Sequence, residues 1–229
     1  MVDDLKRVAS EAAVQQIEDG MLLGLGTGTT VRYVLDALAR RLREGTLSDV
    51  RGVPTSHATA AYARKHNIPL TTLEDTPQLD LAIDGADEVA PNLDLIKGRG
   101  GALLREKIVA CASARLWIVI DTSKRVERLG ALVPLPVEVL QFGWKTHLPL
   151  LYQLGAIVEP RLHDDGQFFT TDNGNIILDC RFPQGIGDAA VLSSTLERRA
   201  GIIGHGLFLG IAERVFIGAP DGIREMALR

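Results

Sequence analysis

The sequence has few of the features that mark secreted, membrane-bound or metal-binding proteins. Only two cysteines, Cys111 and Cys180, occur in 229 residues, and neither has a partner at the close spacing of a zinc site or a redox pair. No uncharged run approaches the roughly 18 residues needed to span a bilayer, and the acidic first residues do not resemble a secretory signal. We therefore expect a cytoplasmic protein without membrane association, whose two thiols are free and buried.

Charge and histidine content argue against two further classes of protein. The chain has 25 Lys plus Arg against 29 Asp plus Glu, so it lacks the broad positive field that would hold a nucleic-acid backbone. Its five histidines are scattered, with no pair at metal-ligand spacing, and we expect no bound metal. A hydrophobic content of 46% with 24% charged residues is typical of a globular protein.

The first half of the chain alternates short apolar runs with helical periodicity, which predicts βα units around a parallel sheet. The predicted strands lie at residues 21–26, 50–53, 68–73, 79–84 and 116–121. Between them, apolar residues recur at helical spacing, as they do from Val31 to Leu42, and predict amphipathic helices.

Beyond residue 131 the order of predicted elements becomes β-α-β-β-α-β, which is the ferredoxin-like arrangement. Within it, Asp172-Asn173-Gly174 stands between two apolar runs and predicts a type I′ hairpin turn. We therefore predict an α/β protein of two domains. A Rossmann-like parallel-sheet main domain covers residues 1–130 plus 206–229, and a smaller α+β ferredoxin-like domain covers residues 131–205.

The stretch "GLGTGTT", residues 24–30, follows the first predicted strand and opens a helix. Glycines allow a close backbone approach to an anion, the free N–H groups of a helix N-terminus point at it, and Thr27, Thr29 and Thr30 add hydroxyl donors. The stretch therefore predicts a phosphate site. Dinucleotide binding matches less well, because Thr29 stands where G-x-G-x-x-G needs its third glycine. A glycine-rich turn that binds nothing stays open as an alternative.

Two acids, a lysine and a glutamate follow in two further motifs. Asp84 and Asp87, in "DGADEV", come directly after an apolar strand, and ligands of open α/β sheets collect at the carboxyl ends of strands. In "KGRGGALLREKIVA" a glycine turn separates Lys97 from Glu106, which we expect in the early turns of a helix. That helix is expected to bury Leu104, Ile108 and Cys111. Each motif alone is consistent with solvated acids or a surface salt bridge, but all are predicted at one sheet edge.

Several motifs of the sequence together resemble those of a known family. "GLGTGTT", "DGADEV", "KGRGGALLREKIVA", "DTSK" and "TDNGNIILD" are similar to successive signatures of ribose-5-phosphate isomerase A, in order and at fitting separations over nearly the entire chain. One departure is Arg99, which stands in a turn where the family commonly has a run of glycines. We therefore expect the shape of the turn to depart from that of the family, with a second cation near the substrate.

The resemblance implies an aldose-ketose isomerase of the pentose phosphate pathway that interconverts D-ribose 5-phosphate and D-ribulose 5-phosphate through an enediol. It implies Glu106 as the base, Lys97 as the partner of the charged substrate oxygen, and Asp84 and Asp87 as holders of sugar hydroxyls. Further substrate contacts are implied at Thr27, Gly28, Thr29, Thr30, Gly85, Ala86, Gly98, Arg99, Gly100 and Lys124. Ser56 is either a helix N-cap or another contact. No metal or organic cofactor is implied, and the assembly is a homodimer or homotetramer.

Two rivals belong to other functional classes. A sugar-phosphate-sensing regulator would need a DNA-reading module, and fewer than about 20 residues precede the first predicted strand, too few for a helix-turn-helix with a linker. A coenzyme A transferase also resembles this fold and can use a glutamate as nucleophile. Fold resemblance alone does not choose between these classes, whereas the set formed by Asp84, Asp87, Lys97 and Glu106 favours the isomerase.

Overall fold

The computed structural model describes residues 2–227. Its helices are α1 (Val2–Gln15), α2 (Thr29–Glu44), α3 (His57–Lys65), α4 (Leu103–Cys111), α5 (Leu148–Gln153) and α6 (Ala189–Glu197), with short 3-10 helices at Thr122–Lys124 and Trp144–His147. Its strands are β1 (Leu22–Leu25), β2 (Arg51–Pro54), β3 (Leu81–Asp84), β4 (Glu88–Val89), β5 (Leu95–Ile96), β6 (Leu116–Asp121), β7 (Leu135–Val139), β8 (Ile157–Pro160), β9 (Ile176–Arg181), β10 (Ile202–His205), β11 (Leu207–Phe208), β12 (Arg214–Ala219) and β13 (Gly222–Ala227).

The chain divides into two compact units. Unit 1 contains residues 1–86, 105–124 and 210–229, and unit 2 contains residues 87–104 and 125–209. This division differs from the expected domains, because residues 87–104, 125–130 and 206–209, which we expected in the first domain, belong to unit 2. The physical reason is that β5 pairs with β11, whose chain neighbour β10 lies in the main sheet of unit 2.

Unit 1 is built on a six-stranded sheet in the order β13-β12-β6-β3-β1-β2. Five of the strands are parallel, and only β13 is antiparallel to its neighbour β12. Every residue of β3 and of β6 is buried, as expected for parallel strands that are covered on both faces. This explains why the two strands appear in the sequence as apolar runs, each of which ends in an aspartate.

The strand order of unit 1 reverses direction at β1. The chain leaves β1 for β2 on one side and then returns to place β3 on the other side of β1. At such a reversal the segments that follow the two inner strands diverge and leave a crevice at the carboxyl edge of the sheet. The segments in question are residues 26–30 after β1 and residues 85–86 after β3.

Unit 2 contains a four-stranded antiparallel sheet in the order β10-β7-β9-β8, with helices α5 and α6 in the two crossovers. This order, with the element sequence β-α-β-β-α-β, is the ferredoxin-like arrangement that the sequence predicts. A second, three-stranded sheet in the order β11-β5-β4 completes the unit.

Three local expectations are wrong. Residues 68–73 do not form a strand, because their pairing consists of one bridge between Leu70 and Gly52. The last strand of the expected β-α-β-β-α-β order, which the sequence places in the apolar run "GIIGHGLFLG" at 201–210, is instead two strands, β10 and β11, which belong to different sheets. The hairpin turn at 172–174 is not type I′, because Gly174 has a positive φ of 81° while Asn173 does not. It is a type I turn followed by a left-handed glycine.

None of the helices between Val2 and Ala227 combines the length and the apolar character that crossing a membrane requires.

Candidate active site

The turn between β1 and α2 presents an uncapped helix N-terminus in unit 1. Gly28 is the N-cap residue of α2, with φ 117°, and no side chain caps the helix there. The N–H groups of the first turn are therefore left to bind an external acceptor, and an anion is the acceptor that a helix N-terminus favours. Gly28 and Thr29 are exposed and Thr30 is half-buried, so a ligand can reach these groups.

Thr27 contributes its backbone and its hydroxyl to the shape of this turn. Its Oγ1 lies 2.7 Å from Thr55 Oγ1, 2.9 Å from Ser56 Oγ and 3.1 Å from Thr59 Oγ1. Ser56 is the N-cap of α3 and accepts a hydrogen bond from the Thr59 backbone N–H at 3.0 Å, so the N-cap expectation for Ser56 is confirmed. The hydroxyl cluster joins the β1–α2 turn to the start of α3.

Asp84, the last residue of β3, is 3% exposed and is held by the same turn. Its Oδ1 accepts hydrogen bonds from the Thr27 N–H at 3.2 Å and from the Gly85 N–H at 2.7 Å. Gly26 makes this approach possible, because a Cβ at that position would lie 2.1 Å from the Asp84 carboxyl carbon. Unit 1 therefore brings the predicted phosphate turn and the predicted acid into direct contact.

Glu106 is the fourth residue of α4 and is 4% exposed. The expectation that α4 buries Leu104, Ile108 and Cys111 is wrong, because Ile108 is 49% exposed and Cys111 is exposed as well. The buried side of the helix consists of Leu103, Glu106, Val109 and Ala110. A carboxyl group therefore occupies the face that faces the protein interior, close to the helix N-terminus, where a negative charge is favoured.

The packing of α4 on β1 places Glu106 toward the carboxyl edge of the sheet. Gly24 of β1 lies against Val109, since a Cβ on Gly24 would come within 2.5 Å of Val109 Cγ1. The end of α4 leads into the start of β6, so the helix runs against the strand direction. Glu106 precedes Val109 by almost one turn and so lies nearer to the strand ends.

Lys124 follows β6 at the same carboxyl edge. It ends the 3-10 helix Thr122–Lys124, which begins directly after Asp121. The Asp121 carboxylate accepts hydrogen bonds from the Ser123 N–H at 2.9 Å and from the Ser123 hydroxyl at 2.5 Å, and so fixes the start of this helix. Since β1, β3 and β6 are adjacent and parallel, the segments that follow them share one edge of the sheet.

In unit 2 the glycine turn, defined as residues 98–101, is tight and fixed by its neighbours. The Gly101 N–H donates to the Gly98 carbonyl oxygen at 2.9 Å, and both glycines have positive φ, 97° at Gly98 and 83° at Gly101. Asp87 accepts the Arg99 N–H at 2.9 Å. The departure at Arg99 is accommodated because Arg99 has no positive φ and its side chain is exposed.

Lys97 is a buried lysine, 2% exposed, directly before the glycine turn. Its backbone N–H donates to the Gly206 carbonyl oxygen at 2.9 Å, and its Nζ lies 5.4 Å from the centre of the Phe208 ring. Gly206 has no room for a side chain, because a Cβ there would lie 2.3 Å from the Lys97 carbonyl oxygen. Gly206, which lies between β10 and β11, thus binds the backbone N–H of Lys97 and packs against its carbonyl group.

Glu88 is a structurally important acid that the sequence analysis missed. It is fully buried, and its carboxylate accepts backbone hydrogen bonds from Gly130 at 2.6 Å, from Leu132 at 2.5 Å and from Val133 at 2.8 Å. All of these residues belong to unit 2. No local signal could have revealed this role, because the donors follow Glu88 by more than 40 residues.

The two thiols have different environments. Cys180 is buried in β9, and desolvation followed by the nearby negative charge of Asp179 strongly raises its thiol pKa. Cys111 is exposed, so the expectation of two buried thiols is wrong for this residue. Between residues 2 and 227, no cluster of three or more His, Cys, Asp or Glu is arranged to hold a metal ion.

Comparison with known proteins identifies the family to which these motifs belong. The family model described as ribose 5-phosphate isomerase A (phosphoriboisomerase A) matches residues 51–222. The chain belongs to the ribose-5-phosphate isomerase A family. A ribose-5-phosphate isomerase A from Roseiflexus castenholzii (strain DSM 13941 / HLO8) is 51% identical over 221 residues, which cover 96% of this chain and 94% of the relative.

Solved structures of the family share the whole fold. A ribose 5-phosphate isomerase from Plasmodium falciparum has a TM-score of 0.95 and 40% identity, with 99% of each chain covered. A D-ribose-5-phosphate isomerase in complex with phospho-erythronic acid has a TM-score of 0.97 and 38% identity, with 100% of each chain covered. The protein is thus an isomerase that interconverts ribose 5-phosphate and ribulose 5-phosphate, and neither the regulator nor the coenzyme A transferase suggested by the sequence.

Proposed function

We propose that the isomerisation proceeds through an enediol, with Glu106 as the general base. In the direction from aldose to ketose, the Glu106 carboxylate takes the proton from C2 of the open-chain sugar and returns it to C1, while the proton of the C2 hydroxyl passes to O1. The observation that carries this proposal is the burial of a carboxyl group in the first turn of α4, on a side of the helix that is otherwise apolar. Burying a carboxylate on an apolar face costs free energy, and proton transfer between two carbons requires a base of this kind at the site.

Lys97 stabilises the negative charge that develops on the substrate oxygen during this transfer. Its burial supports the role, because a fixed cation in a site of low dielectric interacts more strongly with a developing charge than it would in water. Its backbone is held by Gly206, so the side chain starts from a fixed point. The charge is then stabilised without reorganisation at the moment of reaction.

The phosphate group binds at the N-terminus of α2. The uncapped N–H groups at Thr29 and Thr30, the positive φ of Gly28 and the exposure of this turn all support the assignment. Lys124, at the same sheet edge of unit 1, supplies a cation for the phosphate. The solved relative binds phospho-erythronic acid, a phosphorylated sugar acid, which agrees with a phosphate site in the family.

Asp84 and Asp87 hold sugar hydroxyl groups, and Asp84 also assists the opening of the furanose ring. Each carboxylate is oriented by a backbone N–H group, Asp84 by Thr27 and Gly85 and Asp87 by Arg99. Fixed carboxylates of this kind accept hydroxyl donors in one geometry. The neighbouring positions make the remaining substrate contacts, namely Gly85, Ala86, Gly98, Arg99 and Gly100.

The decisive experiment is the replacement Glu106→Gln. Protein treated with EDTA should convert ribose 5-phosphate to ribulose 5-phosphate, and Glu106→Gln should lower kcat by about 10²- to 10⁴-fold with its circular dichroism spectrum unchanged. The exposed Glu127→Gln is the matched control and should retain full activity. Turnover of Glu106→Gln near the wild-type rate, or activity that depends on added metal, would rule the mechanism out.

We also propose that the protein is a cytoplasmic homodimer or homotetramer. Support comes from large apolar side chains on the surface of unit 2, where Phe142 is 95% exposed, Leu132 57% and Val191 60%. Where exposed apolar side chains adjoin one another, they mark a contact surface. Light scattering coupled to gel filtration should give a mass of two or four chains, and a monomer at micromolar concentration would contradict the proposal.

A further inference from the structure

Arg161, the residue that follows β8, donates hydrogen bonds to the carbonyl side of the glycine turn. Its Nη1 lies 2.9 Å from the Arg99 carbonyl oxygen and 3.3 Å from the Gly98 carbonyl oxygen. All of these residues belong to unit 2. One guanidinium nitrogen thus contacts two successive peptide groups of a turn that follows Lys97.

Asp179, on β9, fixes the guanidinium in this position. Its two carboxylate oxygens accept hydrogen bonds from Arg161 Nε at 2.8 Å and from Nη2 at 2.5 Å. The side chains are only 15% and 22% exposed, so the pair is largely shielded from water. A planar fork with donors on several sides is required here, because a lysine ammonium could not bind both carboxylate oxygens and the two carbonyl groups in a fixed orientation.

Phe169 fixes the other end of the same turn. A Cβ on Gly101 would lie 2.4 Å from the Phe169 ring, so the ring packs directly on the backbone of the turn. The Phe169 N–H donates to the Arg161 carbonyl oxygen at 2.9 Å, and the Arg161 guanidinium carbon lies 5.8 Å from the Phe169 ring centre. Arg161 and Phe169, on the two arms of the 161–169 hairpin, therefore hold the glycine turn together.

The orientation of the turn follows from peptide geometry. In a planar trans peptide the carbonyl and the N–H group point in opposite directions. With the Gly98 carbonyl directed at Arg161, the Arg99 N–H points to the Asp87 carboxylate. With the Arg99 carbonyl directed at Arg161, the Gly100 N–H points away from Arg161, and within residues 2–227 it has no hydrogen-bond acceptor. The contacts of Arg161 thus set the direction of both N–H groups.

We propose that Arg161 is a positioning residue of the isomerase, which orients the glycine turn so that its N–H groups and Asp87 are ready for the substrate. This inference rests on the proposed function, because it assumes that Asp87 and the turn bind the sugar. Arg161 itself does not need to touch the substrate. Its effect is transmitted through two backbone carbonyl groups.

The first test compares Arg161→Lys with Arg181→Lys. Arg181 is an exposed arginine on β9 and serves as the matched control. We expect Arg161→Lys to lower kcat by about 10- to 100-fold, as expected for a small misplacement of binding groups, and to change KM less. Arg181→Lys should behave as the wild type. A kcat of Arg161→Lys within twofold of the wild type would overturn the proposal.

Chemical rescue separates positioning from a general loss of stability. Adding methylguanidinium to Arg161→Ala should restore part of the lost kcat, whereas methylammonium at the same concentration should not, because only the former presents the planar donor fork. If neither cation, or both equally, restored activity, the proposal would be wrong. Circular dichroism and the unfolding midpoint establish that the variant is folded.

A third measurement does not depend on catalysis. Amide hydrogen exchange at Arg99 and Gly101, whose N–H groups are both hydrogen-bonded, should become faster in Arg161→Lys and stay unchanged in Arg181→Lys. Unchanged exchange in Arg161→Lys would refute the contact itself. Failure of Glu106→Gln to lose activity would instead refute the proposed function while leaving the exchange result intact.

Discussion

Replacing Glu88 by glutamine should strongly destabilise unit 2. The carboxylate accepts three backbone N–H bonds in a fully buried position, at distances of 2.5 to 2.8 Å from oxygen to nitrogen. A glutamine has one acceptor oxygen, which can keep the bonds from Leu132 and Val133. Its amide nitrogen then faces the Gly130 N–H, so two donors oppose each other and one buried donor is left without a partner.

The magnitude follows from these three bonds. Leaving the Gly130 N–H buried without an acceptor costs about 1–3 kcal/mol, and each remaining bond is weaker by about 1 kcal/mol once its acceptor is neutral. Removing the buried charge offsets part of this loss, because an ion no longer has to be desolvated. We therefore expect Glu88→Gln to lower the free energy of unfolding of unit 2 by about 3 kcal/mol.

The two tryptophans allow unit 2 to be observed alone. Trp117 lies in unit 1 and Trp144 in unit 2, so in a Trp117→Phe background the fluorescence reports on Trp144. Urea unfolding in this background should give a lower midpoint for Glu88→Gln with an unchanged slope, whereas the exposed Glu127→Gln should match its parent. A loss below about 0.5 kcal/mol would refute the reasoning, because it would place Glu88 among ordinary surface substitutions.

Three further predictions concern single side chains. Phe208→Leu should lower kcat by about tenfold, because the Lys97 ammonium loses an aromatic face worth about 1–2 kcal/mol. Phe208→Tyr keeps the ring and should retain activity, so equal rates for the two variants would contradict the prediction. Burial, and secondarily a nearby arginine, lowers the pKa of His147, so the unfolded chain takes up a proton near pH 6.5 while the folded one stays neutral until lower pH. Stability should therefore fall as the pH drops below about 7. His147→Gln should flatten the curve of melting temperature against pH, and parallel curves for the variant and the wild type would contradict the prediction. Iodoacetamide should label Cys111 and spare Cys180 in native protein, because burial raises the pKa of the Cys180 thiol. Mass spectrometry would show the labelled residues, and labelling of both cysteines would contradict the prediction.

Much of the fold could be predicted because buried parallel strands leave a strong signal. The predicted strands at 79–84 and 116–121 correspond to β3 and β6, which are apolar up to a final aspartate, and Asp84 follows from its position at the end of the first of them. The run at 68–73 has a similar composition but forms only one bridge, at Leu70. Local composition does not indicate whether a neighbouring strand is in place to pair with residues 68–73.

The orientation of α4 could not be predicted, because the sequence "LLREKIVAC" fits two stripes at helical spacing. The stripe with Leu104 and Ile108 is more apolar, yet the helix buries the stripe with Leu103 and Glu106. Pattern analysis counts a glutamate as polar and assigns it to solvent. The error therefore falls at the residue that we propose as the base, where chemistry places a charged group in the interior.

Long-range polar contacts were equally invisible in the sequence. Arg161 contacts the Gly98 carbonyl oxygen across 63 residues of chain, and Glu88 contacts Gly130 across 42. Neither arginine nor glutamate stands in a local pattern that would indicate such a partner. These contacts depend on how the strands are ordered in the sheets, which the one-dimensional pattern does not specify.

Gly26 carries a consequence for any attempt to change the substrate preference of this enzyme. Even a methyl group at this position would overlap the carboxyl group of Asp84, so the two residues can change only together. Libraries that randomise the β1–α2 turn should therefore leave position 26 constant and vary Thr29, whose side chain is exposed. Enzyme variants that accept a substrate with a longer or differently charged anionic group should be sought first at position 29.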